Sequence, residues 1–229
     1  MALILSIDTA LEEASVCISE DAQVLAVKKN DRQMDHAAWI QLAIRELLAE
    51  TERSPGQLSA IAVAAGPGSY TGLRVGMATA KGMCYALGVP LITESTLLLI
   101  AQRVKKEIDQ TNIYTLPVLI CPMIDARRME VFTTLYDFSL NEKRAPGAVV
   151  LDETSFGNEL KEHVILFCGN GSKKWQHLCI CSNAVFVDVN RNVADLAESA
   201  SKKFNIGTFS DLAYTEPTYL KNVYTGKSK

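Results

Sequence analysis

Apolar and polar positions follow two different periods along the first third of the chain. "LILSIDTA" (3–10), "EASVCISE" (13–20) and "QVLAVKKN" (23–30) are short β-type runs joined by brief links. That pattern predicts an antiparallel three-strand meander. The period then becomes helical. In "DHAAWIQLAIRELLAETER" (35–53), Ala37, Ile40, Ile44, Leu47 and Leu48 fall on one face, Asp35 can cap the start, and "SPGQ" ends the run. "LSAIAVAA" (58–65) is apolar throughout, as a strand covered on both faces is. A glycine-rich turn and a helix over about 70–87 follow, stopped at Gly88-Val89-Pro90. "LIT" gives one more strand, and 95–108 one more helix.

From Thr115 the pattern restarts. "TLPVLICPMID" and "EVFTTLYDF" read as a hairpin turning at "ARRM". A looser stretch (139–153), a helix (154–162), the strand "VILFCG" (164–169), a short helix after "NGS", the strand "AVFVDV", a helix over 193–204 and a frayed basic tail complete the chain. No sequence repeat is visible. The expected organisation is α/β: an N-terminal lobe (1–99) and a smaller, divergent second lobe (100–229) that carries the C-terminal helix and tail, with the boundary near 95–112.

Composition narrows the function classes. With 229 residues, 48% of them hydrophobic, the chain can bury a sizeable core. A net charge of −3 argues against a strongly basic nucleic-acid binder, so any RNA contact needs a local patch or a partner. No apolar stretch approaches the ~18 residues of a membrane span. "MALILSIDTA" lacks a basic leader and reads as a first strand. Cys17, Cys84, Cys121 and Cys168 sit singly in apolar surroundings, as buried small hydrophobes do. Cys179-Ile180-Cys181 has one spacer, not the two of a zinc knuckle. A reduced, cytoplasmic protein without a metal or other cofactor is expected.

The segment GPGSYTGLRVG (66–76) is the densest chemical signal. Gly66, Gly68, Gly72 and Gly76 match neither the dinucleotide fingerprint nor the Lys-Ser/Thr phosphate loop. The context is still one where backbone N–H groups can collect an anion: a buried strand, a glycine turn, then a helix start that Ser69 or Thr71 can cap. A tight turn that lets a helix lie close on a sheet explains the same residues, and spacing alone favours it. The helix beyond is apolar on two arcs. Gly72, Leu73, Gly76, Met77, Ala80, Met83, Cys84 and Leu87 cover one; Val75, Thr79, Gly82 and Ala86 cover the other. The second arc needs a neighbouring helix or a partner, and Trp39 and Leu42 of the preceding helix can flank it.

"LILSIDTALEEASVCI", "AVAAGPGSYTGLRVGMATAKGMCYALGVPLI" and "EPTYLK" together resemble the bacterial TsaB (YeaZ) family, over residues 3 to about 222. The resemblance implies the two-lobed actin/hexokinase-like (ASKHA) fold. It implies a companion subunit for making tRNA N6-threonylcarbamoyladenosine (t6A): one that pairs directly with the transferase TsaD, is joined by the ATPase TsaE, meets tRNA only through the complex, and pairs with itself when alone. The catalytic relative holds its metal with two histidines four apart on a helix. Here His36, His163 and His177 are followed four positions on by Ile40, Phe167 and Cys181, so no such dyad exists. Kinases of this fold follow a first-strand aspartate with a glycine turn. This chain has Asp8-Thr9-Ala10-Leu11-Glu12-Glu13, in which two acids would repel a phosphate.

Asp8, Thr9, Gly66, Gly68, Ser69, Thr71 and Gly72 are therefore candidates for a vestigial nucleotide loop. Trp39, Leu42, Val75, Thr79, Gly82 and Ala86 are candidates for a partner interface. A vestigial nucleotide binder or a small-molecule kinase of the same fold is the alternative function. In the second lobe only "CGNGSKKW" (168–175) could approach a phosphate, and a turn before a helix explains it equally well. Asp125 and Arg127 are expected to form a structural salt bridge across their hairpin turn.

Overall fold

The computed structural model describes residues 1–31, 36–108, 114 and 116–221. The proposed cap Asp35 lies outside them. The chain divides into two units, Met1–Arg103 with Asn190–Pro217, and Val104–Val189 with Thr218–Lys229.

In the first unit β1 (Leu3–Asp8), β2 (Ala14–Glu20) and β3 (Gln23–Asn30) form the antiparallel meander, and β4 (Ala60–Gly66) and β5 (Leu91–Ser95) extend it in parallel, in the order β3-β2-β1-β4-β5. β1 and β4 are buried at every position, and their side chains divide between two cores with period two. Leu3, Leu5, Ile7, Ile61, Val63 and Ala65 face the core that includes Ile40, Ile44 and Leu47 of α1 (His36–Glu50) and Met77, Ala80 and Cys84 of α2 (Tyr70–Leu87). Ile4, Ala60, Ala62 and Ala64 join the other core, with Leu99 of α3 (Thr96–Glu107) and with Leu196 and Ala200 of α6 (Val193–Asn205). Covering both faces is why these strands read as continuous apolar runs.

The placement of α6 differs from expectation. It was read as part of the second lobe; it lies on the first sheet. Leu196 and Ala200 pack against strand alanines, while charge pairs fix its ends: Arg103 Nε reaches Asp195 Oδ2 at 2.9 Å, and Lys203 Nζ reaches Glu94 Oε2 at 3.0 Å. The segment after α6 is also held, not frayed, as far as it is described. Ser210 N–H donates to Leu91 O at 2.8 Å on the edge of β5, and Lys81 Nζ donates to Ala213 O and Thr215 O at 3.2 and 2.9 Å.

The second unit repeats the topology. β6 (Val118–Asp125), β7 (Glu130–Asp137) and β8 (Glu142–Val150) are antiparallel, β9 (Val164–Cys168) and β10 (Ala184–Val187) add in parallel, and the order is β10-β9-β6-β7-β8. Renumbered from β6, this is the order of the first sheet. No residue repeat announces it, because topology constrains burial pattern and not residue identity. β8 falls in the stretch read as loose: "EKRAPGAVV" has an exposed, polar first half with a proline, which suits an edge strand. The helix expected over 154–162 is only α4 (Glu159–Glu162), preceded by turns, and α5 spans Lys173–Gln176. The core is aromatic. Phe167 and Trp175 meet edge-to-face at 4.8 Å, Phe156 and Phe186 flank them, and Trp175 Nε1 donates to Asp152 O at 2.8 Å. Among the described residues no helix is long and apolar enough to cross a membrane.

Candidate functional site

At the end of β4 the chain turns through Gly66, with φ of 109°, into α2, whose N-cap is Ser69. Ser69 Oγ accepts from Gly72 N–H at 3.3 Å, while Thr71 is exposed. This is the site where an anion would sit if the turn were a phosphate cradle. Its contents are the β1–β2 turn. Ser69 N–H donates to Ala10 O at 2.7 Å, and Thr9 Oγ1 donates to Gly72 O at 2.7 Å. A Cβ on Gly68 would lie 2.1 Å from Ala10 O, one on Gly72 2.1 Å from Thr9 O, and one on Gly76 2.3 Å from Thr9 Oγ1. The glycines therefore serve the close approach of two backbone segments. Two carbonyl oxygens point at the helix start, and they present partial negative charge where a phosphate would need donors.

Asp8 follows the same logic. It is buried, accepts from Ala10 N–H at 3.1 Å, and its other oxygen is engaged by Arg191 in a close ion pair. The guanidinium supplies the positive charge that balances the buried carboxylate. Burial pulls Arg191 down to about 10, with Asp195 opposing, so it is charged at neutral pH. The sequence reading missed this partner. Arg191 lies 183 residues from Asp8 in a segment without periodicity, and no spacing rule connects them. Glu13 pairs with Lys29 at 3.0 Å.

The second glycine turn has a different neighbour. Gly169, with φ of 84°, would place a Cβ 2.5 Å from Met123 O; one on Gly171 would lie 2.9 Å from Val131 Cγ1 and 3.1 Å from Asp125 N. Gly171 N–H donates to Met123 O at 3.0 Å, and Asn170 Oδ1 accepts from Asp125 N–H at 2.9 Å. This turn is packed into the β6–β7 hairpin. The expected Asp125–Arg127 salt bridge does not form. Asp125 Oδ1 pairs with Lys174 Nζ at 2.7 Å and accepts the backbone N–H of Arg127 at 2.6 Å. The nearer cation is excluded because the tight turn directs its side chain outward.

The candidate interface residues fall into two groups. Leu42, Gly82 and Ala86 are exposed, and nothing lies within 4 Å of a Cβ built on Gly82. Thr79 is half-buried and accepts from Gln41 Nε2 at 3.4 Å, which ties α2 to α1. Val75 and Trp39 are half-buried and pack on the unit's own core, so they shape this face from below. Exposed Ala78 and Tyr85 lie on the same helix, and the two-arc reading included neither.

Comparison with known proteins places this geometry. The sequence profile described as "TsaD: tRNA N6-adenosine threonylcarbamoyltransferase" matches residues 27–206. The tRNA threonylcarbamoyladenosine biosynthesis protein TsaB of Bacillus subtilis is 28% identical over 214 residues, 84% of this chain and 90% of that protein. The protein of the same name from Escherichia coli is 28% identical over 233 residues, 96% and 94% of the two chains. The solved structure of YeaZ from Pseudomonas aeruginosa superposes with a TM-score of 0.76 at 22% identity, covering 96% of this chain and all of that one. The fold is of the actin/hexokinase-like class.

Proposed function

The chain belongs to the TsaD-type family, in its TsaB (YeaZ) branch, and on that premise we propose that it is a non-catalytic subunit of the t6A machinery, binding and activating a TsaD transferase. The observation that carries the non-catalytic part is the filled turn. The helix start that would cradle a phosphate holds the carbonyls of Thr9 and Ala10, and the first-strand aspartate is neutralised by Arg191. A kinase of this fold needs both groups free, so the same observation disfavours the kinase alternative.

In this reading TsaD docks on the α1–α2 face around Leu42, Thr79, Gly82 and Ala86, with Val75 and Trp39 supporting it. Small side chains let a partner helix approach closely, and a relative of the same fold can present a matching pair. A second copy of this chain takes the same face when TsaD is absent. TsaE joins the assembly, tRNA is met within it, and the setting is cytoplasmic.

The test is transfer of threonylcarbamoyl to tRNA by TsaD with and without this chain, together with the Gly82→Glu variant. Gly82 is exposed, so its side chain enters solvent in the monomer and an interface in the complex. An unpaired charge buried there costs several kcal/mol, which weakens binding about a hundredfold or more. The isolated chain is expected to neither transfer nor hydrolyse ATP. A TsaD that is fully active alone, or undiminished binding by a folded Gly82→Glu variant, contradicts the reading.

A further inference from the structure

The β6–β7 hairpin turns through Arg127 and Arg128, both left-handed, with φ of 71° and 52°. The loop is longer than a two-residue turn, since Ala126 N–H donates to Glu130 O at 3.0 Å and Glu130 N–H to Arg127 O at 3.1 Å, and a residue other than glycine held at positive φ carries a strain cost. The turn is held despite that. All three donors of the Lys174 ammonium are used on it: Asp125 Oδ1 at 2.7 Å, Arg128 O at 2.6 Å and Glu130 O at 3.0 Å. The second glycine turn packs beneath it through Gly171 and Asn170.

Among the described residues, the arginine side chains take no part in this bracing. Both are exposed, and among the described residues neither side chain forms an ion pair. Asp125 pairs with Lys174, Glu130 with Lys221 and Asp188 with Lys173, while Asp152 is held by Thr154 and Ser155. A braced, strained turn therefore displays two unneutralised guanidinium forks, the group best shaped to grip phosphate oxygens in pairs.

We propose that Arg127 and Arg128 form a phosphate clamp that holds the tRNA backbone when the modification complex is assembled, an inference that rests on the t6A role proposed above. The two adjacent guanidiniums supply positive charge where a chain of net charge −3 would meet RNA. The contact is to the backbone and positions the RNA without reading its sequence.

The decisive variant is Arg127→Asn with Arg128→Gly, which installs residues that tolerate positive φ and removes both charges. It is expected to melt at or above the wild-type temperature and to bind TsaD unchanged, so loss of folding or of partner cannot explain its effect. In reconstituted transfer the KM for tRNA should rise about tenfold while kcat stays the same, and the dependence of log affinity on log salt should flatten by about 1.4, two single-strand phosphate contacts' worth. Arg127→Lys with Arg128→Lys should recover most of the affinity. An unchanged KM and salt slope in a system where wild type is active overturns the clamp while leaving the proposed function standing. Loss of TsaD or TsaE binding with tRNA affinity intact overturns it too, and marks the hairpin as a protein contact. A wild-type chain that supports no transfer removes the proposed function and the clamp together.

Discussion

The molecule has two glycine-rich turns that look alike as sequence, "GPGSYTG" after β4 and "CGNGS" after β9. Each leaves the end of a parallel strand, each precedes a helix, and each occupies the equivalent place in a sheet of the same strand order. Their contents differ. The first turn is closed by the β1–β2 connection, whose carbonyls pack on the helix start beside an aspartate that Arg191 neutralises. The second is packed against the β6–β7 hairpin and props up two arginines. Glycine in such a turn signals that something comes close to the backbone. Whether it is a phosphate or the chain itself depends on the neighbouring connection.

Removing the cation from the first turn should have the largest effect. Arg191→Ala leaves Asp8 buried without its cation and should cost about 3–5 kcal/mol, read by chemical denaturation. Adding Asp8→Asn should return much of that loss, since the stranded charge is gone. If Arg191→Ala is instead rescued by magnesium with nucleotide, Asp8 retains a cation site and the contrast between the turns disappears.

Next comes the close approach itself. Gly72→Ala sets a methyl against the Thr9 carbonyl, and overpacking of this kind costs about 1–3 kcal/mol. At roughly 2–4 °C per kcal/mol for a chain of this size, Tm should fall by several degrees. Gly82→Ala, in the same helix but in open space, should raise stability by about 0.5–1 kcal/mol through helix propensity. Equal effects at the two positions would mean that Gly72 is not pressed against Thr9.

Gly171→Ala should also cost about 1–3 kcal/mol, because its Cβ would meet buried Val131 Cγ1 at 2.9 Å and the β6 backbone at Ile124 C and Asp125 N, 3.0 and 3.1 Å away. Its interest lies in coupling. Displacing the turn should disturb the hairpin and raise the KM for tRNA, whereas Gly72→Ala should leave that KM alone. A reversal of the two results would exchange the roles assigned to the turns.

The smallest effect concerns the thiols. Burial pushes Cys17 and Cys121 up to about 12, Cys84 to about 11 and Cys168 well above the usual thiol range. Cys179 and Cys181 are the more accessible pair. Iodoacetamide on the native protein should label these two first, near the second turn, with all six labelled only after unfolding. Early labelling of Cys17 or Cys84 would show that the first unit opens more readily than its packing suggests.

What the sequence determined by itself was local and periodic. The meander, the faces of α2 and of α1 apart from exposed Ala37, a cap at Ser69 or Thr71, the Gly88 stop and the fully covered β4 follow from residue spacing, because burial imprints a period of two or 3.6 on any strand or helix that packs. The motif in GPGSYTGLRVG also carried the family. Tertiary structure decided the rest. That α6 returns to the first sheet, that Arg191 meets Asp8, that Lys174 and not Arg127 answers Asp125, and that the two units share one strand order all depend on contacts between segments far apart in the chain. Such contacts leave no period in the sequence. They are selected by which surfaces remain to be covered and which buried charges remain to be balanced once the local elements have formed.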